Sequence, residues 1–255
     1  MGQFSTTAIL LRRIEYGDAD LILTLLARDR GKVTAIAKSA KRSVRRFGGL
    51  LDLFCVLDVV CNPGRGSGLP VLQEASLRQP FHRIRGDITR TAYASYWAEL
   101  IHVWSEADVP QMEVFDLLFS IFEALDQGAL PPPVLSVLFQ MRFLTLAGFG
   151  PNLDRCGACG RLLPETAPGP PPAFDLTRGG VVCSDCRPAA HRSMPLALGT
   201  IKQLRWLAAG DLNQAKRIRF APSALREGEA LLEAFVPYHL GKALRSLAFL
   251  RQLRR

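Results

Sequence analysis

No stretch of this 255-residue chain approaches the run of about 18 uncharged apolar residues that a membrane helix needs, so no transmembrane span is expected. Nor is a secretory leader expected. The apolar run within MGQFSTTAILLRR is short, and its arginine pair follows the run, where a signal peptide would have it first. The chain lacks a GxxxxGK[ST] phosphate loop, which excludes a P-loop ATPase. Its four histidines, His82, His102, His191 and His239, match no HExxH or triad pattern. Paired acids such as Asp18 and Asp20 lie in a turn, where capping is the commoner role. No nucleophile–base constellation stands out, so the expectation is a soluble, cytoplasmic protein that is not an enzyme.

Charge is plentiful and unevenly placed. Lys plus Arg number 32 against 23 Asp plus Glu, a formal charge of +9. The isoelectric point is near 9.6 and the mean hydropathy is +0.12. With 48% apolar residues the chain can bury a real core, and its basic excess points to a polyanionic partner. Residues 1–50 carry ten cations and four acids; residues 91–127 carry seven acids and no Lys or Arg; residues 238–255 carry five cations and no acid. A basic front, an acidic middle and a basic tail say more than the total does.

Residues 1–80 read as five short strands: Ala8–Ile14, Leu21–Ala27, Lys32–Lys38, Phe54–Cys61 and Pro70–Leu77. The third alternates, with Lys32, Thr34, Ile36 and Lys38 on one face and Val33, Ala35 and Ala37 on the other. Five strands in about 80 residues fit a small closed barrel, of which the OB fold is the five-stranded case; an SH3-like barrel or an open sheet fits nearly as well. From residue 88 the spacing turns helical. Tyr93, Trp97, Leu100 and Trp104 make one stripe, Met112–Leu125 is apolar on several sides, and a third helix runs from Pro131 to about Ala147. Further helices are expected at Leu196–Ala209, Ser223–Phe235 and Tyr238–Leu253. In the last, Leu240, Leu244 and Leu247 would form the buried stripe, with Lys242 and Arg245 together on another face. The fold class is therefore α+β and multidomain: a barrel at 1–82, then a helical domain at 83–255 interrupted by an insert at 152–192.

That insert holds the strongest local signal. Cys156-Gly-Ala-Cys159 and Cys183-Ser-Asp-Cys186 are two CxxC pairs. A two-residue gap lets both thiolates of a knuckle reach one ion, and two knuckles complete a tetrahedron, as in a zinc ribbon. One structural Zn²⁺ is expected. Gly157 and Gly160 are expected to supply turns whose amides bond the sulfurs, and AFDLTRGGVV to form a hairpin into the second knuckle. A closed four-cysteine set with no HxE before it argues against a deaminase. His191 reads as a surface residue and Pro164–Pro172 as a solvent loop. Cys55 and Cys61 read as small buried hydrophobes.

The second signal is the segment from Lys38 to Gly49. Lys38, Lys41, Arg42, Arg45 and Arg46 are interleaved with small residues and closed by Phe47. With Lys32 they are the candidate nucleic-acid contacts, able to follow a phosphate backbone and release counterions. Stacking platforms are scarce: only Tyr16, Phe47 and Phe54 are at hand, so little sequence preference is expected.

In order along the chain, several runs resemble the RecO family of bacterial DNA repair and recombination mediators. They are Ala8-Ile-Leu-Leu-Arg, Tyr16-Gly-Asp-Ala-Asp, Gly31-Lys-Val, Ala37-Lys-Ser-Ala-Lys-Arg, Leu138-Phe-Gln-Met-Arg through Asn152-Leu leading into Cys156, and Tyr238-His-Leu-Gly-Lys-Ala-Leu-Arg-Ser. The resemblance implies an N-terminal OB domain that binds single- and double-stranded DNA, a helical domain and a zinc-binding insert. It implies annealing of complementary strands without bond chemistry, contact with the acidic C-terminal tail of single-strand binding protein (SSB), and work with RecR to load RecA at the nucleoid. A groove for that tail would need an apolar floor and a cationic rim; Arg142, or Lys242 with Arg245, are the candidates for the rim. Two other readings stand beside this one: a metalloenzyme, and a zinc-ribbon scaffold whose basic surface meets an acidic protein.

Overall fold

The computed structural model describes residues 2–64, 66, 68–163, 170–186, 193–209 and 219–254. His191 and most of the Pro164–Pro172 spacer lie outside the described residues. Five strands form a closed barrel in the order β1 (Phe4–Tyr16), β2 (Asp20–Ala27), β3 (Gly31–Ala37), β5 (Val71–Gln79), β4 (Val56–Asn62). All neighbours are antiparallel except β3 and β5, which meet in parallel at Ile36 and Val71. Closure excludes the open sheet, and the strand order with its parallel β3–β5 contact is that of the OB-type barrel.

Alternation builds its interior. Leu21, Leu23 and Leu25 of β2, Val33, Ala35 and Ala37 of β3, and Leu57, Val59 and Cys61 of β4 point inward, joined by Phe47 and Leu51 from the β3–β4 connection. That connection contains one helical turn, α1 (Val44–Phe47). Cys55 and Cys61 are buried as expected, and burial pushes the Cys61 thiol up to about 11, so it stays protonated at neutral pH.

The described helices that follow are α2 (His82–Arg85), α3 (Ile88–Trp104), α4 (Met112–Gln127), α5 (Pro132–Leu146), α6 (Leu198–Ala209), α7 (Pro222–Leu240) and α8 (Arg245–Leu253). Asp87 caps α3, its side chain accepting from the Arg90 amide at 2.8 Å. α4 keeps a solvent edge at Met112, Glu113 and Asp116, whereas α5 is buried along most of its length. A short three-stranded sheet, β7 (Gly180–Val182), β6 (Ala173–Asp175), β8 (Ser193–Pro195), lies within the cysteine-bearing insert. The expected hairpin is there, with a third strand that the local spacing did not display.

The chain forms two compact units. One contains residues 1–127 with 244–255; the other contains residues 128–243. Among the described residues no helix is long and apolar enough to cross a membrane.

One helix boundary departs from the sequence reading. The expected break at Pro237 does not occur: α7 runs through it to Leu240 and stops at Gly241, which takes φ +62°. Proline removes only one hydrogen bond so near a helix end, and the Phe235 and His239 rings, 4.3 Å apart, pack across it. A new helix then starts after Leu244. Lys242 therefore lies in the turn, and it does not share a helix face with Arg245.

Candidate metal centre and nucleic-acid interface

The first knuckle is a tight turn. The Gly160 amide donates to the Cys156 carbonyl at 2.8 Å, and Gly160 takes φ +72°, where a side chain would be strained. The second knuckle follows β7, where a 3₁₀ turn, Ser184–Cys186, carries Cys186 back toward Cys183. The β6–β7 hairpin joins the two, because the Gly157 amide donates to the Val181 carbonyl at 2.8 Å. All four sulfurs of Cys156, Cys159, Cys183 and Cys186 lie within 4.8 Å of one another. The Cys159 and Cys183 sulfurs are 3.9 Å apart. A tetrahedron of sulfurs at 2.3 Å from an ion has edges of about 3.8 Å, so the set fits one metal ion.

The amides that serve the sulfurs are not the expected ones. Gly157 and Gly160 bond carbonyls, while the Cys156 sulfur accepts from the amides of Ala158 and Cys183, each at 3.4 Å. Burial raises the Cys156 thiol, but the amides of Cys159, Cys183 and Ala158 outweigh it and lower the thiol to about 6. Cys186 moves the other way, up to about 12, through hydrogen bonds with the Cys183 and Cys159 sulfurs. One thiolate forms readily and the last resists. A divalent cation removes that resistance by neutralising the group.

Arginines hold the module from outside. Arg178 donates to the Gly157 carbonyl at 3.1 Å and pairs with Asp175 at 3.6 Å. Arg161 pairs with Asp185 at 3.3 Å, tying one knuckle to the other, though both groups are too exposed for the pair to stabilise much. Arg205 donates to the Leu153 carbonyl and pairs with Asp154, both at 2.9 Å. Sequence reasoning did not single these out, because each is fixed by a carbonyl or carboxylate that only the fold brings near.

The basic segment sits on the β3–β4 connection. Lys38, Arg42 and Arg45 are exposed, and none forms an ion pair among the described residues. Lys41 is committed to Glu15 at 2.7 Å, and that bond holds the Glu15 carboxyl below its usual range. Arg46 donates to the Lys38 carbonyl at 3.1 Å and lies over the Phe47 ring, 5.0 Å from its centroid. It shapes the loop while keeping its charge at the surface. Lys32 stands apart from this group: its ammonium donates to the His102 carbonyl at the end of α3, at 3.0 Å. A cleft of about 280 Å³ opens beside the loop, lined by Arg13, Glu15, Lys41, Ser43, Gly48 and Asp52 among others. Two of the three expected stacking rings are not available. Phe47 is 3% exposed and Phe54 2%, both in the core, whereas Tyr16 is 56% exposed.

The acidic middle meets the rest of its own unit. Asp116 pairs with Arg28 at 3.2 Å, and Asp126 accepts from the Ile84 amide at 3.1 Å. Glu99 accepts from the amides of Arg245 and Ser246 at 3.2 and 2.8 Å, and also from the Ser246 hydroxyl. Of the candidate partner-binding residues, Arg245 therefore begins a helix capped by Glu99. Arg142 on α5 is half-buried, and its Nε has no hydrogen-bond partner among the described residues. Lys242 is exposed in the turn after Gly241.

Two family models match the chain. "Recombination protein O N terminal" covers residues 1–81, and "Recombination protein O C terminal" covers residues 85–248. A protein described as DNA repair protein RecO from Desulfatibacillum aliphaticivorans is 44% identical, over 100% of this chain and 99% of its own. Its counterpart from Desulfosudis oleivorans is 42% identical over the same shares. That from Anaeromyxobacter sp. (strain K) is 38% identical over 99% of this chain and 98% of its own.

Proposed function

The chain belongs to the RecO family of DNA repair proteins, and from that premise we propose that it is a non-enzymatic recombination mediator. In this reading it binds single- and double-stranded DNA in the cytoplasm and anneals complementary strands without a nucleotide cofactor. It acts on SSB-coated single strands through the SSB tail, and works with RecR so that RecA can load.

The observation that carries this reading is the β3–β4 connection. Exposed Lys38, Arg42 and Arg45, with Arg46 fixed beside them, crown an OB-type barrel of a chain with charge +9. Such a loop gains affinity by displacing counterions from phosphates and needs no base sequence. Lys32 is the weakest member of the set, since its ammonium is already satisfied by a carbonyl. The four thiolates would hold one Zn²⁺ as a structural ion. Four sulfur ligands close its coordination, and the ion ties together two knuckles whose local buried cluster is small.

Two measurements test this. Complementary strands coated with SSB should form duplex much faster with the protein, without ATP, and lose that gain when SSB lacks its tail. For DNA contact, replacing Lys38, Arg42 and Arg45 together by Ala should reduce the slope of log K against log salt by about 2 to 3, at 0.7 to 0.9 per phosphate. A slope that stays unchanged in a folded variant removes the loop from the DNA footprint.

A further inference from the structure

The barrel also carries an apolar surface that phosphate binding does not use. Strand register aligns three rows of outward-facing residues across β1, β2 and β3. Arg12 stands opposite Thr24 and Thr24 opposite Thr34; Ile14 stands opposite Ile22 and Ile22 opposite Ile36; Tyr16 stands opposite Asp20. These are the outer face, because the alternate residues Leu21, Leu23, Val33, Ala35 and Ala37 fill the interior.

One end of this face is closed. Thr24 and Leu26 are buried, Lys32 reaches the His102 carbonyl, and Ala107 bridges to the Lys32 backbone. The other end is open. Tyr16 is 56% and Ile14 38% exposed, and Ile22 and Ile36 are half-buried beside them. Cations border the open rows: Arg12 lies one row below, and Lys38 two residues beyond Ile36, both exposed. The carboxylate within the rows, Asp20, accepts from the Ser39 amide at 2.7 Å and so faces the basic connection.

We propose that Tyr16 and the Ile14–Ile22–Ile36 row form a nucleobase-contact face that makes the barrel favour single strands. The proposal rests on the DNA-binding reading above. A single strand lays its bases on the tyrosine ring and the aliphatic row, while its phosphates run to Lys38, Arg42 and Arg45. A duplex keeps its bases stacked inside and offers this face nothing, so it engages the cations alone. Every base has a flat apolar face, so such contact adds affinity without sequence preference. Tyr16 is the aromatic side chain that carries it: Phe47, Phe54 and Phe81 are buried, and Phe4 lies half-buried with the Arg30 guanidinium 4.3 Å from its ring centroid.

The test uses the full chain with three ligands: an oligothymidine strand, an abasic strand of equal length, and a duplex. Tyr16→Ala should weaken oligothymidine binding about tenfold and leave the abasic strand and the duplex within about twofold, whereas Tyr16→Phe should keep the affinity. The exposed ring lets both variants keep the wild-type melting temperature. If the wild type binds all three ligands and Tyr16→Ala changes none of them, or weakens all three equally, the base-contact face is wrong while the DNA-binding reading stands. A change in none would give the patch to a protein partner. If the wild type binds none of the three, the DNA-binding reading fails first and this proposal with it.

Discussion

At the scale of single residues, two positions have outsized consequences. Gly31, the first residue of β3 after the β2–β3 turn, takes φ +69°, and a Cβ there would lie 1.8 Å from the Val109 carbonyl oxygen. The loop after α3 presses onto this turn, with the Asp108 amide donating to the Lys32 carbonyl at 3.1 Å. Gly31→Ala must therefore push that loop away as well as strain the turn. Gly17 provides the control, since it takes φ +56° with nothing within 4 Å of its would-be Cβ. Gly17→Ala should cost about 1 kcal/mol from strain alone, and Gly31→Ala clearly more; equal costs in denaturant titrations would mean the loop yields freely. Asp175 is the second position. It accepts from the Thr177 amide at 2.8 Å and hydroxyl at 2.6 Å, and from the Arg178 amide at 3.2 Å. Burial raises its pKa, but these bonds and the Arg178 charge outweigh burial and hold it below the ordinary 3.8. A carboxyl depressed in the folded state stabilises above its unfolded pKa and loses that contribution as pH falls through the folded value. Asp175→Asn should thus lower the melting temperature at neutral pH, by the equivalent of about 1 to 2 kcal/mol, and the difference should shrink below pH 3.8. A difference that persists undiminished in acid would assign the effect to shape and not to charge.

At the scale of elements, helices borrow their caps. α8 starts at Leu244, which has no side chain able to cap it, and Glu99 on α3 supplies the acceptor across 146 residues of sequence. α6 is treated alike: Glu227 on α7 accepts from the Ala197 amide at 3.0 Å and the Thr200 hydroxyl at 2.7 Å. Glu99→Ala should loosen the final helix by about 1 kcal/mol, seen as faster hydrogen exchange at the Arg245 and Ser246 amides with the barrel amides unchanged. Unchanged exchange there would make the cap dispensable. These carboxylates also mark what sequence could and could not disclose. The barrel strands were legible because alternation at Lys32–Lys38 and the turn glycines are local facts. The metal ligands were legible because CxxC spacing is itself geometry. The acidic stretch was not, since its partners Arg28, Ile84, Arg245 and Ser246 lie in other elements. The same locality explains the misplaced break at Pro237, where ring packing between Phe235 and His239 overrides the usual stop. It explains the rings too, because nothing in sequence separates exposed Tyr16 from Phe47, which fills the barrel.

At the scale of the whole molecule, the barrel and the cysteine module differ in what stabilises them. The barrel has a continuous interior of some twenty apolar side chains, enough for a small domain to stand on. The cysteine module's own apolar cluster is small: Cys156, Ala173 and Val182, with Cys183 and Cys186 packed against them, while Phe174 turns to the Phe235 ring of α7, 5.1 Å away. Three-residue strands make few backbone hydrogen bonds to offset their ordering entropy, so a further bond at the knuckles adds directly to their stability. An ion held by the four thiolates would be that bond, and binding it would be part of folding. Stripping the metal with a chelator, or Cys156→Ala, should therefore melt the β6–β7–β8 sheet while the barrel's own transition remains. If the DNA contacts are those of the barrel, affinity for a duplex should then stay within about twofold, and what suffers is stability and proteolytic resistance in the second unit. Calorimetry and anisotropy on the same metal-free sample separate the cases. Duplex affinity lost with the barrel transition intact would make the metal module part of the DNA surface. In that event the arginines that clasp it, Arg161 and Arg178, become the next residues to substitute.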